Sequence, residues 1–253
     1  MTISSRDWDR FVQRLGSVSK KAADELRIWV NKQGGLISID RQALIDYAYA
    51  LATKYGEVTS ALAAAWYDAV AEASGKFLPP AEAAATATYA ETAKTVNGVL
   101  KTSDNVETVA GAVERLVKMA GVDTTVKNAI RDGAQVAWIP HGDTCAFCIA
   151  LASRGYQDAS RQLVQNGHAA HVHANCDCTY AVRYDDYTTV EGYDPDRYLQ
   201  IYDDAEGYGS QQKINAMRRE FYAENRARIN AQKRDAYARR RALESSAAEE
   251  LDT

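Results

Sequence analysis

All four cysteines and all four histidines of this 253-residue chain lie in one stretch, from His141 to Cys178. Cys145 and Cys148 form a C-x2-C pair, the spacing at which one tight turn directs two thiolates to the same ion. A second group follows after residues 149–170 and consists of His173, Cys176 and Cys178. Thiolate and imidazole ligands favour Zn²⁺ over Mg²⁺ or Ca²⁺. We therefore expect a structural zinc site that combines the C-x2-C pair with two or three members of the second group.

The other three histidines are weaker candidates for metal ligands. His141 follows Pro140 and is expected in a turn rather than at the metal, with ligation of the metal as the alternative. His168 and His171 lie in a stretch rich in glycine and alanine. Three roles stay open for them: exposure to solvent, a hydrogen bond to a metal ligand, or ligation of the metal itself.

Other uses of cysteine fit the pattern less well. The first residues show no basic end followed by an apolar core, so we expect folding in the reducing cytoplasm, where clustered thiols hold metals more often than they form disulfides. A redox C-x2-C would need a strand-helix-strand context, and a cytidine deaminase would need H-x-E before P-C-x-x-C. A cysteine protease would not need three further thiols, and the His-Asn-His order of an HNH nuclease is not apparent. Disulfides in a particle that leaves the cell stay an alternative.

Apolar residues at helical spacing dominate the beginning of the chain. From Trp8 to Val30 they recur in steps of three and four, which predicts one amphipathic helix that the glycine pair at 34–35 ends. Asp40 is a good N-cap for a second helix, whose apolar positions continue to Val70.

Three further helices are predicted before residue 138. An alanine-rich helix is expected over residues 81–96. Asp104 and Glu107 have the spacing of a capping box and predict the start of a helix that Gly121 ends. Another is expected over residues 125–137. We find no alternation of polar and apolar residues typical of strands, so the predicted fold class is mainly α.

Composition divides the chain into four predicted parts. These are a helical domain (1–137), a Cys/His metal-binding region (138–183), an acidic tyrosine-rich linker (184–210), and a basic C-terminal helix with an acidic tail (211–253). The expected architecture is a helical bundle followed by a small zinc-knuckle region and a long basic C-terminal helix.

Charge is distributed unevenly along this chain. The net charge of −4 predicts no general attraction to nucleic acid or to anionic membranes, and no apolar run is long enough to span a bilayer. Residues 211–241 nevertheless hold ten basic and three acidic side chains, a net charge of +7. This helix is predicted to be solvated, to dock on an acidic protein surface, or to contact DNA. Its candidate binding residues are Arg218, Arg219, Arg226, Arg228, Lys233, Arg234, Arg239, Arg240 and Arg241.

Four segments together resemble the Mu F-like minor head proteins of tailed phages, especially the version in phages of actinobacteria. They are the C-A-F-C-I-A-L-A-S-R-G run from Cys145 to Gly155, the H-A-N-C-D-C-T run from His173 to Thr179, the L-A-A-A-W-Y-D run from Leu62 to Asp68, and Asn215 to Arg219. The resemblance extends over roughly residues 44–220. Single motifs of this kind are weak, but their combined order and spacing are specific.

The resemblance implies a non-enzymatic virion protein that lies inside the head in few copies and acts in head morphogenesis. The implied partners are the portal protein or the major capsid protein, with packaged DNA as a further possibility and no membrane or small-molecule substrate. The protein would be in the host cytoplasm before assembly. A phage-encoded zinc nuclease or DNA-binding protein acting in packaging is the alternative function.

Overall fold

The computed structural model describes residues 1–142, 144–160 and 177–251. In the last helix, side chains are described as far as residue 227 and then only at 230, 231 and 234. The chain forms two compact units, Met1–Leu199 and Gln200–Thr253. The described part is mainly helical, which confirms the predicted fold class.

The first unit is built on three long helices. These are α1 (Ser5–Lys32), α2 (Arg41–Ala73) and α4 (Val106–Asp132), and each packs on the other two. A 3₁₀ turn (Leu36–Ser38) lies between α1 and α2, and the shorter α3 (Tyr89–Leu100) packs on α2 and α4.

Side-chain caps explain where the first two helices begin. The Ser4 hydroxyl accepts a hydrogen bond from the backbone N–H of Asp7 at the start of α1. The carboxylate of Asp40 accepts from the first N–H groups of α2, which otherwise lack partners in a helix. Both predicted helices and the predicted cap at Asp40 are confirmed.

Two hydrophobic clusters define the relative directions of the helices. The first half of α1 shares one cluster with the second halves of α2 and α4. The second half of α1 shares the other cluster with the first halves of α2 and α4. Helix α1 is therefore antiparallel to α2 and α4, which run in the same direction.

The predicted helix over residues 81–96 is wrong in its first half, because α3 begins only at Tyr89. Thr88 caps it in a capping box with Glu91. Upstream of the cap, the backbone N–H groups of residues 81, 82 and 84 donate to side chains of α2 and α4, namely Asp68, Asn128 and Thr124. These tertiary hydrogen bonds outweigh the helix propensity of the alanines.

Gly121 does not end a helix, contrary to the prediction, and Asn105 rather than Asp104 caps the start of α4. Gly121 lies where α4 approaches α2, and a Cβ atom there would be 3.3 Å from the backbone oxygen of Thr59. The Thr59 hydroxyl donates across the same contact to the backbone oxygen of Val117 at 2.7 Å. The glycine is thus needed for close packing of the two helices.

A small sheet follows α4 where the sequence predicts helix. Gly133 adopts a left-handed conformation and ends α4, and strand β2 (Gln135–Ile139) begins two residues later. Strands β3 (Gln157–Asp158) and β4 (Thr179–Arg183) pair with β2 on either side, both antiparallel. Residues 136–139 are all buried, so the strand is continuously apolar and lacks the alternation that would have revealed it. A second pair joins β1 (Thr2–Ile3) to β5 (Thr189–Val190) in parallel.

The remaining helices are α5 (Ala146–Ala152), α6 (Pro195–Asp204) and α7 (Ser210–Leu251). The boundary between the units falls inside α6. In the second unit, the ammonium group of Lys213 donates to the backbone oxygens of Tyr202 and Asp203. Among the described residues, no helix combines the length and apolarity that crossing a membrane requires.

We expect Gly121→Val to lower the free energy of unfolding by about 2 kcal/mol, because the branched side chain would force α4 away from the backbone of α2. Urea titration followed by circular dichroism measures this. Gly98→Ala is the matched control: Gly98 lies in α3 and a Cβ atom there meets no atom within 4 Å. The control should raise stability by about 0.5–1 kcal/mol through helix propensity. Equal stability of Gly121→Val and the wild type would contradict the close contact.

Candidate metal centre

The pairing of β2 with β4 brings the two halves of the Cys/His region together. Ile139, the last residue of β2, lies opposite Thr179, the first residue of β4. Cys178 therefore lies beside the chain that leaves β2, at His141. That chain continues into α5, where Cys145 is the N-cap residue and Cys148 lies in the first turn.

The three described cysteines belong to the core of the first unit. Cys148 and Cys178 are buried, with 1% and 4% of their surface exposed, and Cys145 is half-buried. All three contact the hydrophobic cluster that also contains Trp8 and Trp138. The thiols of Cys148 and Cys178 therefore lie in a largely water-excluded environment.

His141 connects this region to α1 and to Cys178. Its backbone N–H donates to the sulfur of Cys178 at an N–Sγ distance of 3.4 Å. Its ring atom Nε2 lies 3.2 Å from a carboxylate oxygen of Asp9. The other ring nitrogen, Nδ1, is buried and has no hydrogen-bond partner in the described part of the chain.

Lys118 connects the same region to α4. Its ammonium group lies 2.9 Å from the carboxylate of Glu114 and 3.3 Å from that of Asp177, the residue before Cys178. Lys118 and Glu114 are nearly buried, with side-chain exposures of 8% and 10%. On the opposite side, Gly16 of α1 leaves room for Asp177, since a Cβ atom there would lie 3.1 Å from its carboxylate.

The predicted metal ligands fall into two groups. Cys145, Cys148 and Cys178 are described, whereas His173 and Cys176 lie outside the described residues, as do His168 and His171. Within residues 1–142, 144–160 and 177–251, no three or more Cys, His, Asp or Glu side chains are arranged to hold a metal. The predicted ligand set and the zinc ion stay predictions.

The predicted binding residues of the last helix are described in part. Arg218, Arg219, Arg226 and Arg234 are exposed on α7. The side chains of the other five lie outside the described residues, namely Arg228, Lys233, Arg239, Arg240 and Arg241. Their predicted role in binding stays a prediction, as does the division of the chain into four parts.

A groove between α3 and α4 is a second polar feature of the first unit, with a volume of about 1190 Å³. Asp123 lines it, and burial together with the negative charge of Glu91 raises the pKa of this carboxyl to about 6. Arg115 lines the same groove, and its Nε–H is buried without a hydrogen-bond partner among the residues described.

Sequence reasoning missed Asp9 and Lys118 and favoured a turn over metal ligation for His141. The i,i+4 spacing of Glu114 and Lys118 indicates an ion pair, but only the fold shows that the pair is nearly buried. No local pattern relates Asp9 to His141, because 131 intervening residues separate them.

Comparison with known proteins gives one family. The model of the family described as VG15 protein matches residues 2–205. No curated protein and no solved structure matches the chain significantly.

We expect Lys118→Met to lower the free energy of unfolding by about 3 kcal/mol, because it leaves the carboxylate of Glu114 buried without its cation. Replacing both residues, with Lys118→Met and Glu114→Gln, should recover much of the loss. Lys127→Met is the control on the same helix: its 3.0 Å ion pair with Glu82 is exposed and should contribute less than about 1 kcal/mol. Chemical denaturation of the four proteins checks this, and equal losses at both lysines would contradict it.

Asp123→Asn should stabilise the protein at neutral pH. Because the pKa of Asp123 is raised from 3.8 to about 6, the folded state binds more protons than the unfolded state between these values. Wild-type stability therefore falls as pH rises through this window, and the variant avoids the fall. After allowance for partial solvent access, the gain at pH 7 should be on the order of 1–2 kcal/mol and should shrink towards pH 4.

Urea titrations at several pH values between about 4 and 7.5 measure this difference, because this range covers the folded-state pKa of Asp123 and approaches its unfolded value. Glu57→Gln is the control, since Glu57 is exposed on α2. A constant difference between Asp123→Asn and the wild type at every pH would show that the Asp123 carboxyl is not the responsible group.

Proposed function

The chain belongs to the VG15 protein family, which indicates a phage protein, and from this premise we propose that it is a minor capsid protein of a tailed phage. It is a non-enzymatic structural component inside the virion head and acts in head morphogenesis. Its role is to bind another component of the head: the portal protein, the inner capsid surface or the packaged DNA.

The family match is the observation that carries this proposal. It extends over residues 2–205 and so includes the helical body, the two described sheets and the sequence of the whole Cys/His region. Of the segments that resemble Mu F-like minor head proteins, the run from Leu62 to Asp68 lies in α2 and contributes residues to the core. Trp66 of α2 stacks on Phe11, with ring centroids 4.7 Å apart, and Tyr67 is buried with its hydroxyl donating to Asp132 at 2.8 Å. The resemblance in this run therefore rests on residues that pack in the core of this chain.

We include a structural zinc ion in the proposal. Cys145 and Cys148 supply a pair of thiols at the start of α5, and Cys178 supplies a third beside His141. The backbone of His141 meets Cys178 twice, since its N–H donates to the sulfur at 3.4 Å and its carbonyl oxygen lies 4.0 Å from the same sulfur. A closed site with four protein ligands would stabilise the region and leave no open position for catalysis.

The basic helix α7 is the proposed contact with a partner. Its exposed arginines, Arg218, Arg219, Arg226 and Arg234, present guanidinium groups that can bind carboxylates in a bidentate manner. The family match ends at residue 205, before α7 begins at Ser210. We favour an acidic protein surface in the head over DNA, because residues 184–210 place many acidic side chains next to this helix in the sequence.

Replacing Arg218, Arg219, Arg226 and Arg234 together with Gln should reduce incorporation of the protein into phage heads by tenfold or more. Glutamine keeps the helix propensity and removes four positive charges, so loss of binding would not reflect loss of the helix. The matched control, Glu220→Gln with Glu224→Gln, removes exposed negative charges from the same helix and should leave incorporation unchanged. Quantitative mass spectrometry of purified heads from a phage lacking the native gene and complemented with each variant measures incorporation.

Other outcomes distinguish the alternative functions. Absence of the wild-type protein from purified heads would overturn the proposed capsid role. If DNA is the partner, the isolated wild-type protein should bind DNA with a salt slope that falls by up to about 0.9 for each phosphate that the arginine variant no longer neutralises. Metal-dependent cleavage of plasmid DNA would instead support the nuclease alternative.

A further inference from the structure

The groove between α3 and α4 is too long for a small ligand. Its lining residues on α4 recur at helical spacing from Glu107 to Asp123, so the groove follows that helix over about 24 Å. Its volume of about 1190 Å³ exceeds the roughly 300–1,000 Å³ of typical small-molecule sites. The other lining residues belong to the segment 85–88, to α3 and, at one position, to α1. These dimensions suit a segment of polypeptide.

Apolar and small residues make up part of the lining. Leu116 and Ala120 of α4 contribute apolar surface, and Met119 between them is half-buried. Gly98 of α3 has no side chain, and a Cβ atom there would meet no atom within 4 Å. Because the distance between packed helices depends on the size of the side chains at their contact, small residues here allow a further helix to approach closely. A helix is therefore the polypeptide structure that suits this lining.

Most charged groups of the lining are compensated within the chain or by solvent. Glu107 pairs with Arg27 at 3.0 Å, and Glu114 pairs with Lys118 at 2.9 Å. Lys94 is exposed, so water solvates its ammonium group. These groups need no partner from a ligand.

Asp123 and Arg115 differ, because neither makes a hydrogen bond or an ion pair within the part of the chain that the structure describes. Both side chains are half-buried, and the Nε–H of Arg115 is fully buried. A charge withdrawn from water is costly without a partner, so each group would gain from a ligand group of opposite charge. Eight positions separate the two residues, which is about 12 Å along α4.

A second copy of this chain offers no suitable helix in its described part. The apolar faces of α1, α2 and α4 are buried in the two hydrophobic clusters, and Ile214 and Met217 of α7 are buried as well. Helices α3, α5 and α6 have at most 12 residues and extend over about 18 Å or less, which is shorter than the groove. The occupant is therefore a helix of a different protein.

We propose that the groove binds an amphipathic helix of another head protein, which places a basic residue at Asp123 and an acidic residue at Arg115. The two residues lie about seven or eight positions apart on the partner helix, since this spacing corresponds to roughly 12 Å along a helix. Apolar residues on the same face contact Leu116 and Met119, as in other complexes in which a helix lies in a groove. The inference rests on the proposed function, because it takes the partner from the phage head.

Photo-crosslinking tests which molecule occupies the groove. A benzophenone amino acid replaces Gly98 in the full-length protein, which complements a phage lacking the native gene. We expect irradiation of purified heads to join position 98 to a helical segment of another head protein, identified by mass spectrometry. The same amino acid in place of Gln13, which is exposed on α1 outside the groove, is the control and should not capture that segment.

Charge reversal then tests how the partner is recognised. Asp123→Lys should reduce incorporation into heads by about tenfold or more, because the basic residue of the partner would meet a like charge. Changing that basic residue to Glu should restore incorporation. Arg115→Glu should behave in the same way when the acidic residue of the partner is changed to Lys. A purely structural role for Asp123 or Arg115 predicts no such rescue.

The outcomes separate failure of this inference from failure of the proposed function. Capture of DNA, of a second copy of this chain, or of no more than the Gln13 control captures would overturn the inference while leaving the protein in the head. Failure of the charge swaps to restore incorporation would also overturn it. So would rescuing residues only about three or four positions apart, since this spacing indicates an extended chain. If Arg115→Glu does not fold, Asp123→Lys and the crosslink still decide. Absence of the wild-type protein from purified heads would overturn the proposed function and this inference together.

Discussion

The pairing of β2 with β4 is the interaction on which the position of the Cys/His region depends. Five residue pairs, from Gln135 opposite Arg183 to Ile139 opposite Thr179, join segments that are far apart in the sequence. Trp138 and Tyr180 pack edge to face across this pairing, with ring centroids 4.9 Å apart. Because β2 follows α4 almost directly, the strands are held against the end of the helical body. Cys178 lies at the same end of β4 and is positioned with them.

Two polar contacts then tie the region to the helices on either side of it. Asp9 of α1 faces His141, and Lys118 of α4 faces Asp177. If the region detached, the nearly buried ammonium group of Lys118 would lose Asp177. Of its two described carboxylate partners, it would keep only Glu114. Partly buried charges make such separation costly. Folding of the Cys/His region and packing of α1 against α4 are therefore coupled, and a ligand that stabilises one stabilises the other.

The sequence predicts the helical body well and the small sheet poorly, for identifiable reasons. Helices α1 and α2 have one apolar face and strong caps at Ser4 or Asp40, which are local signals. The start of α3 and the continuation of α4 through Gly121 depend on hydrogen bonds and close contacts between helices, which local propensity does not contain. Strand β2 is buried on both faces and so lacks alternation.

The candidate site, like the sheet, depends partly on tertiary contacts that the sequence alone does not show. The C-x2-C spacing of Cys145 and Cys148 is visible in the sequence, and so is the second group that ends at Cys178. The contact between Asp9 and His141 joins the first helix to the end of β2 and exists only after the chain has folded. The part that His141 plays in the structure thus depends on its contacts with Asp9 and Cys178 in the folded chain, not on the preceding proline.

Charge along the last helix has to be considered locally. The chain has a net charge of −4 and residues 211–241 carry +7, so the rest of the chain carries −11. A helix of the length of Ser210–Leu251 extends over roughly 60 Å, whereas charges in physiological salt are screened beyond about 8 Å. Basic residues near its two ends therefore do not influence each other, and each turn responds only to the surface next to it. The net charge of the protein consequently does not decide between DNA and an acidic protein as partner. The dependence of binding on salt does, because arginine pairs bidentately with carboxylate and phosphate alike, whereas neutralising DNA phosphates releases condensed counterions and makes affinity fall steeply with salt.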